Sequence, residues 1–185
     1  MSRHTDTSRC AGCGAVLRDS DGPVHAYMTS SPACFERFNR ILAPEYSQPS
    51  LRDTHRLTVD TYAVQHPGEG SDRRRIQSVG LHLARLCLQL ADPRPPRETN
   101  DVMLGLSKYK ETLKQLQPPA RFTVTAADVA PFAGSAHHAG KVRDWAAATW
   151  NDWAGHHAYI REWIAERRGD LKPRAKRLPS TRRKN

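Results

Sequence analysis

Residues 10–34 read CAGCGAVLRDSDGPVHAYMTSSPAC, and this stretch decides how the N-terminal part of the chain is held. Cys10 and Cys13 are two residues apart, with Gly14 directly after them. That gap lets two sulfurs face one ion across a tight turn, and a glycine supplies the backbone conformation the turn needs. His25 and Cys34 follow, so the spacing is C-x2-C-x11-H-x8-C. Zinc takes thiolate and imidazole in a closed tetrahedron, and such closed sites are structural. The expected ligands are Cys10, Cys13, His25 and Cys34, with Zn2+ as the cofactor. His55, His4 or a water stand as alternatives for the fourth position. The order knuckle, short hairpin, helix resembles half of a treble-clef finger, with His25 replacing a second ligand on the helix. A thioredoxin-like redox pair is disfavoured, because the two cysteines do not open a helix after a strand and a third cysteine is near. Residues 10–29 hold little apolar material, so metal binding has to supply much of their stability.

Outward from this knuckle the chain reads as helices. Ser30 or Ser31 is an N-cap before Pro32, and a helix to about Leu42 places Cys34 in its first turn, where the helix dipole favours a thiolate. Residues 1–9 read as loose. A second helix is expected from Asp53 to the Pro67-Gly68 break, and a third over Arg75–Ala91 with an apolar stripe from Ile76 to Leu90. Asp92 to Arg97, with three prolines, reads as a linker. A fourth helix is expected after Asn100, ended by Pro118-Pro119, and a single turn at Thr125–Asp128. The longest is expected over His138–Arg167, carrying Trp145, Trp150, Trp153 and Trp163 at helical spacing. No strand set and no fixed-period repeat is visible. The fold class is therefore all-α: a four- to five-helix bundle with a small N-terminal zinc knuckle. The expected division is 1–43 for knuckle and first helix, 44–168 for the bundle, and 169–185 for a basic disordered tail.

Charge is concentrated in that tail. The chain of 185 residues has a net charge of +10, and residues 167–185 carry nine basic residues against Asp170 alone. Arg174, Lys176, Arg177, Arg182, Arg183 and Lys184 would attract a polyanion, either nucleic acid or an acidic protein surface, through salt-screened forces. A solubilising end is the plainer reading. Met1 to Arg9 is polar with no apolar run after it, the apolar runs elsewhere are too short for a bilayer, and cysteine usage suits a reducing cytoplasm. Cys87, in an apolar stripe, reads as a small hydrophobe. The tryptophans read as core; left exposed, they would serve as a homodimer seam.

The polar residues of the bundle offer a second candidate. Asp60, His66 and His82, with His156 or His157, fall on helices that would face one another, as bundle-core metal sites require. They lack the paired His-x-x-x-His or Glu-x-x-His spacing, and histidines on apolar faces are more often bonded to a carbonyl or carboxylate. A metal-dependent enzyme built on Asp60, His66 and His82 is thus the alternative to a metal-stabilised binding module. Triads, phosphate loops and dinucleotide fingerprints are absent.

The strings Cys10-Ala-Gly-Cys13-Gly14, Ser30-Ser31-Pro32-Ala33-Cys34 and Val59-Asp60-Thr61-Tyr62-Ala63-Val64-Gln65-His66-Pro67-Gly68, with His82-Leu83 after them, resemble an uncharacterised bacterial family, a domain of unknown function. The resemblance covers about residues 10–165. It implies a bacterial intracellular protein and supplies neither an activity nor a substrate.

Overall fold

The computed structural model describes residues 6–68, 72–91 and 96–170. His4, most of the expected linker and the basic residues from Lys172 to Lys184 lie outside the described residues. The chain is mostly helical, with seven α-helices and one two-stranded sheet among the described residues. Strands β1 (Thr7–Arg9) and β2 (Val16–Arg18) pair antiparallel, with Arg9 opposite Val16. Residues 7–9, part of the stretch expected to be loose, are thus paired. Their pairing follows from the Cys10–Gly14 turn, in which Cys10 N–H donates to Ala15 O (2.8 Å) and Gly14 N–H to Cys10 O (2.9 Å). Gly14 has φ +78°, a conformation that costs a Cβ-bearing residue strain.

Helix α1 runs Pro32–Ser47, with Ser31 as N-cap accepting from Cys34 N–H (3.3 Å). It passes the expected stop near Leu42 and continues through Pro44. Its last turn is held from outside. Glu45 is 2% exposed, and its Oε1 accepts from His138 Nε2–H (2.9 Å) and from the Thr58 hydroxyl, while His55 approaches Oε2 at 3.3 Å. His138 Nδ1 accepts from Gly134 N–H (3.0 Å), so the ring proton must sit on Nε2, facing the carboxylate.

A 3-10 turn, Pro49–Thr54, leads into α2 (His55–Gln65). Eight of the eleven residues of α2 are buried, which makes it the central helix, packed on α1, α3 (Arg73–Ala91) and α6 (His138–Asp152). A helix buried on every side must satisfy its polar groups internally. Thr61 donates to Leu57 O (2.6 Å), and Gln65 Nε2 donates to Val124 O (2.7 Å) and Thr149 Oγ1 (2.8 Å). The Asp60 carboxylate is bound by His82, Arg85 and Gln89 of α3.

Helix α4 (Pro96–Leu106) starts four residues earlier than Asn100, because proline is tolerated where the first N–H has no intrahelical partner. It tightens into a 3-10 helix at Ser107–Thr112 rather than reaching Leu116. Helix α5 (Ala126–Val129) is the expected single turn, opened by Asp128 accepting from Thr125 N–H (2.8 Å). The expected helix over 138–167 is two: α6 and α7 (His157–Asp170), separated by a 3-10 turn, Ala154–His156. Gly155 lowers helix propensity at the break, and His157 Nε2–H donates to Trp150 O (2.8 Å), a carbonyl near the end of α6. The four tryptophans are each at most 7% exposed. They are core, as the helical spacing indicates, and leave no tryptophan face for a dimer seam.

Gly80 of α3 lies under Leu113, where a Cβ would come within 2.7 Å of a leucine methyl. Leu113 is 2% exposed and cannot swing away freely. Gly80→Ala should therefore lower unfolding free energy by about 1–2 kcal/mol in urea, the overpacking cost exceeding the ~1 kcal/mol that alanine gains in helix propensity.

Candidate metal centre

Four buried groups converge where the N-terminal turn meets α1 and α2: Cys10, Cys13, Cys34 and His66. Their ligand atoms all lie within 4.8 Å of one another, and none of the four residues is more than 3% exposed. His66 Nε2 is 3.5 Å from Cys10 Sγ and 3.4 Å from Cys34 Sγ, and Cys13 Sγ is 3.6 Å from Cys34 Sγ. A disulfide needs about 2.0 Å between sulfurs, and all three thiols are free. Among the described residues no other set of three such groups converges in this way.

Each ligand is placed by its own local structure. The Gly14 turn directs Cys10 and Cys13 to one side. Cys34 sits in the opening turn of α1, capped by Ser31. His66 is the C-cap of α2, with φ −129° and ψ 57°, one residue before Pro67. Its Nδ1–H donates to Tyr62 O, one turn back, at 2.7 Å. That bond sets the tautomer and leaves the Nε2 lone pair facing the sulfurs.

Outer groups complete the shell. Ser31 N–H donates to Cys10 Sγ (3.4 Å) and the Tyr62 hydroxyl to Cys34 Sγ (3.8 Å). The Tyr62 ring stacks on Phe38 at 3.9 Å between centroids, and burial pushes its hydroxyl pKa up, so it remains a donor. Gly12 closes the turn against His66. A Cβ there would fall well inside van der Waals contact of His66 Cδ2 and Thr29 O.

Electrostatically, the three thiols without a cation act as one unit. Hydrogen bonds from Cys13 and then Cys34 draw the Cys10 thiol far below its usual range. The same bond with Cys10 pushes Cys13 up to about 12, and hydrogen bonds with Cys10 and then Cys13 push Cys34 up as well. One sulfur takes the charge, and its neighbours keep their protons to solvate it. Three thiolates this close require a positive ion between them. The donor set of three sulfurs and one imidazole nitrogen could hold a metal ion.

The structure thus unites three of the four expected ligands and replaces the fourth. His25 is not in the cluster. Its ring lies edge-on to Tyr27 and Phe35, and its Nδ1 accepts from Tyr27 N–H (3.2 Å). His55 faces Glu45 instead. The expected second group is split for the same reason: His66 turns to the sulfurs, while Asp60 Oδ1 meets His82 Nδ1 at 2.7 Å and Asp60 Oδ2 accepts from Gln89 Nε2 (2.8 Å). Arg85 Nη1 stands 3.5 Å from the same carboxylate. His156 and His157 bond carbonyls, His156 to Gln117 O and His157 to Trp150 O. The sequence does carry a signal for His66. Pro67-Gly68 ends the helix directly after it, which leaves its ring at the helix terminus.

Gly12→Ala should keep the helical circular dichroism of the bundle and weaken metal retention on the order of tenfold, measured by competition with a chromogenic chelator, because the new methyl displaces the imidazole from its lone-pair geometry.

No curated protein and no solved structure matches the chain. The pattern of a family of unknown function, DUF5946, matches residues 8–154, which takes in all four clustered residues. On that extent of match, the chain belongs to the DUF5946 family.

Proposed function

We propose that this protein holds one structural zinc ion on Cys10, Cys13, Cys34 and His66, and that it works as a metal-stabilised binding module rather than through chemistry at the ion. The observation that carries the first part is metric. Zinc bound at about 2.3 Å to sulfur and about 2.0–2.1 Å to nitrogen has tetrahedral edges of about 3.8 Å between sulfurs and about 3.6 Å between sulfur and nitrogen. The corresponding separations are 3.6 Å for Cys13–Cys34 and 3.4 and 3.5 Å from His66 Nε2 to two sulfurs. Four protein ligands and near-complete burial suit a closed site, since a catalytic zinc keeps a position for water or substrate. The ion would tie the two-stranded turn, which brings few apolar residues of its own, to the ends of α1 and α2.

The binding part of the proposal rests on the C-terminal charge. Arg174, Lys176, Arg177, Arg182, Arg183 and Lys184 form a basic segment suited to nucleic acid or an acidic protein surface. No helix among the described residues is long and apolar enough to cross a membrane.

Elemental analysis of reduced protein should give one zinc per chain. Cys13→Ser and His66→Ala should each lower this to well below one, and His25→Ala should leave it unchanged. Full zinc content in His66→Ala would overturn the ligand set. Removing residues 171–185 should abolish retention on immobilised heparin or DNA, and retention of the full chain should fall as salt rises. Unaltered retention after the truncation would remove the tail from the proposal.

A further inference from the structure

A second concavity, remote in residue make-up from the cysteine cluster, opens between the start of α2, the end of α3, α4 and the first turn of α6. Its volume is about 380 Å³. Three arginines from three helices line it: Arg56 of α2, Arg85 of α3 and Arg143 of α6. Asp53 is the one carboxylate in the lining. Arg56 and Arg143 are exposed, and neither makes an ion pair among the described residues. Like charges gathered on a concave wall repel one another unless an anion lies between them.

The lining also holds polar groups that lack partners. Thr99 of α4 is 4% exposed, and its hydroxyl has no hydrogen-bond partner. Arg85 Nε is likewise buried without an acceptor, although the Asp60 carboxylate, 3.5 Å from Nη1, anchors the other end of that guanidinium. Buried polar groups in native proteins are nearly always paired, and an orphan asks for an explanation such as a bound ligand. Both orphans can donate, and both belong to residues that line the same cavity as Arg56 and Arg143, beneath its accessible surface. Ala139 and Gly140 add the opening turn of α6, whose N–H groups carry the positive end of the helix dipole. No side chain caps that turn, and a Cβ on Gly140 would meet nothing within 4 Å, so the backbone there is open to approach.

We infer that this cavity is a binding site for a phosphomonoester group on a small molecule. A tetrahedral dianion uses what the wall offers: guanidinium forks for bidentate contact and the open amides of a helix start. Donors outnumber acceptors in the lining, which disfavours a cationic or neutral sugar ligand. A volume of about 380 Å³ matches a single small molecule and is too small for a folded partner. Asp60 acts here as a positioning residue, since its carboxylate lies outside the lining and holds Arg85. The site uses none of the zinc ligands and none of the tail arginines, so it stands or falls independently of the function proposed above.

The test is calorimetric titration of the full-length, zinc-loaded protein, freed of excess metal, with inorganic phosphate and then with glucose 6-phosphate. Saturable binding at one per chain is expected for both, tighter for the ester. Arg143→Ala and Arg56→Ala, both at exposed positions, should each weaken it at least tenfold. Arg40→Ala, on the exposed face of α1, should bind as the parent does. No saturable heat up to 10 mM phosphate and ester, or binding that survives both arginine changes, would overturn the site.

Discussion

Three thiolates and one imidazole could share so small a volume only around a positive ion, and the surrounding structure brings the four groups together. The Gly14 turn, the cap of α1 and the last turn of α2 each deliver ligand atoms to a single point. The cost of that convergence shows in the thiols themselves: Cys10 gives up its proton readily, and Cys13 and Cys34 hold theirs tightly. The aromatic stack of Phe38, Tyr62 and His66 makes the imidazole part of the core as well as a member of the cluster. A site so seated cannot move without moving α2.

Helix α2 is correspondingly polar for a central element. Thr58, Asp60, Thr61, Gln65 and His66 are all at most 1% exposed, yet each has a partner from a different direction: Glu45, the α3 side chains, its own backbone, Val124 and Thr149, and the sulfurs. Apolar packing alone would let such a helix rotate about its axis. Directional bonds on every face fix one rotation, and that rotation aims His66 at the cysteines and Asp60 at α3.

Much of this was legible in the sequence, and the gaps have physical causes. The capped start of α1, the span of α3 and the single turn of α5 follow from local chemistry: Ser31 before Pro32, an apolar stripe, and Asp128 three residues after Thr125. The three cysteines follow from their spacing. The place of His66 beside them does not, because His25 is nearer along the chain and His66 reaches the cysteines only after α1 and α2 fold back on each other. The continuation of α1 through Pro44 is tertiary too, since Glu45 is held by residues from 58 and 138. The break at 153–156 is masked by an apolar pattern that runs unbroken across both helices, with Gly155 the sole local hint. The cavity of Arg56, Arg85 and Arg143 has no motif, for its residues come from helices far apart in the chain.

The separation of Cys10 from His66, 56 positions along the chain, bears on how the molecule is born. During synthesis the cysteine trio emerges long before the imidazole. For that interval the nascent segment presents reactive sulfur with no closed coordination sphere. Closing so large a loop carries an entropic penalty that grows only logarithmically with its length, so the delay is one of timing rather than of thermodynamics. Oxidants and cations therefore have their best access to those thiols before α2 has formed, and afterwards the finished core buries them.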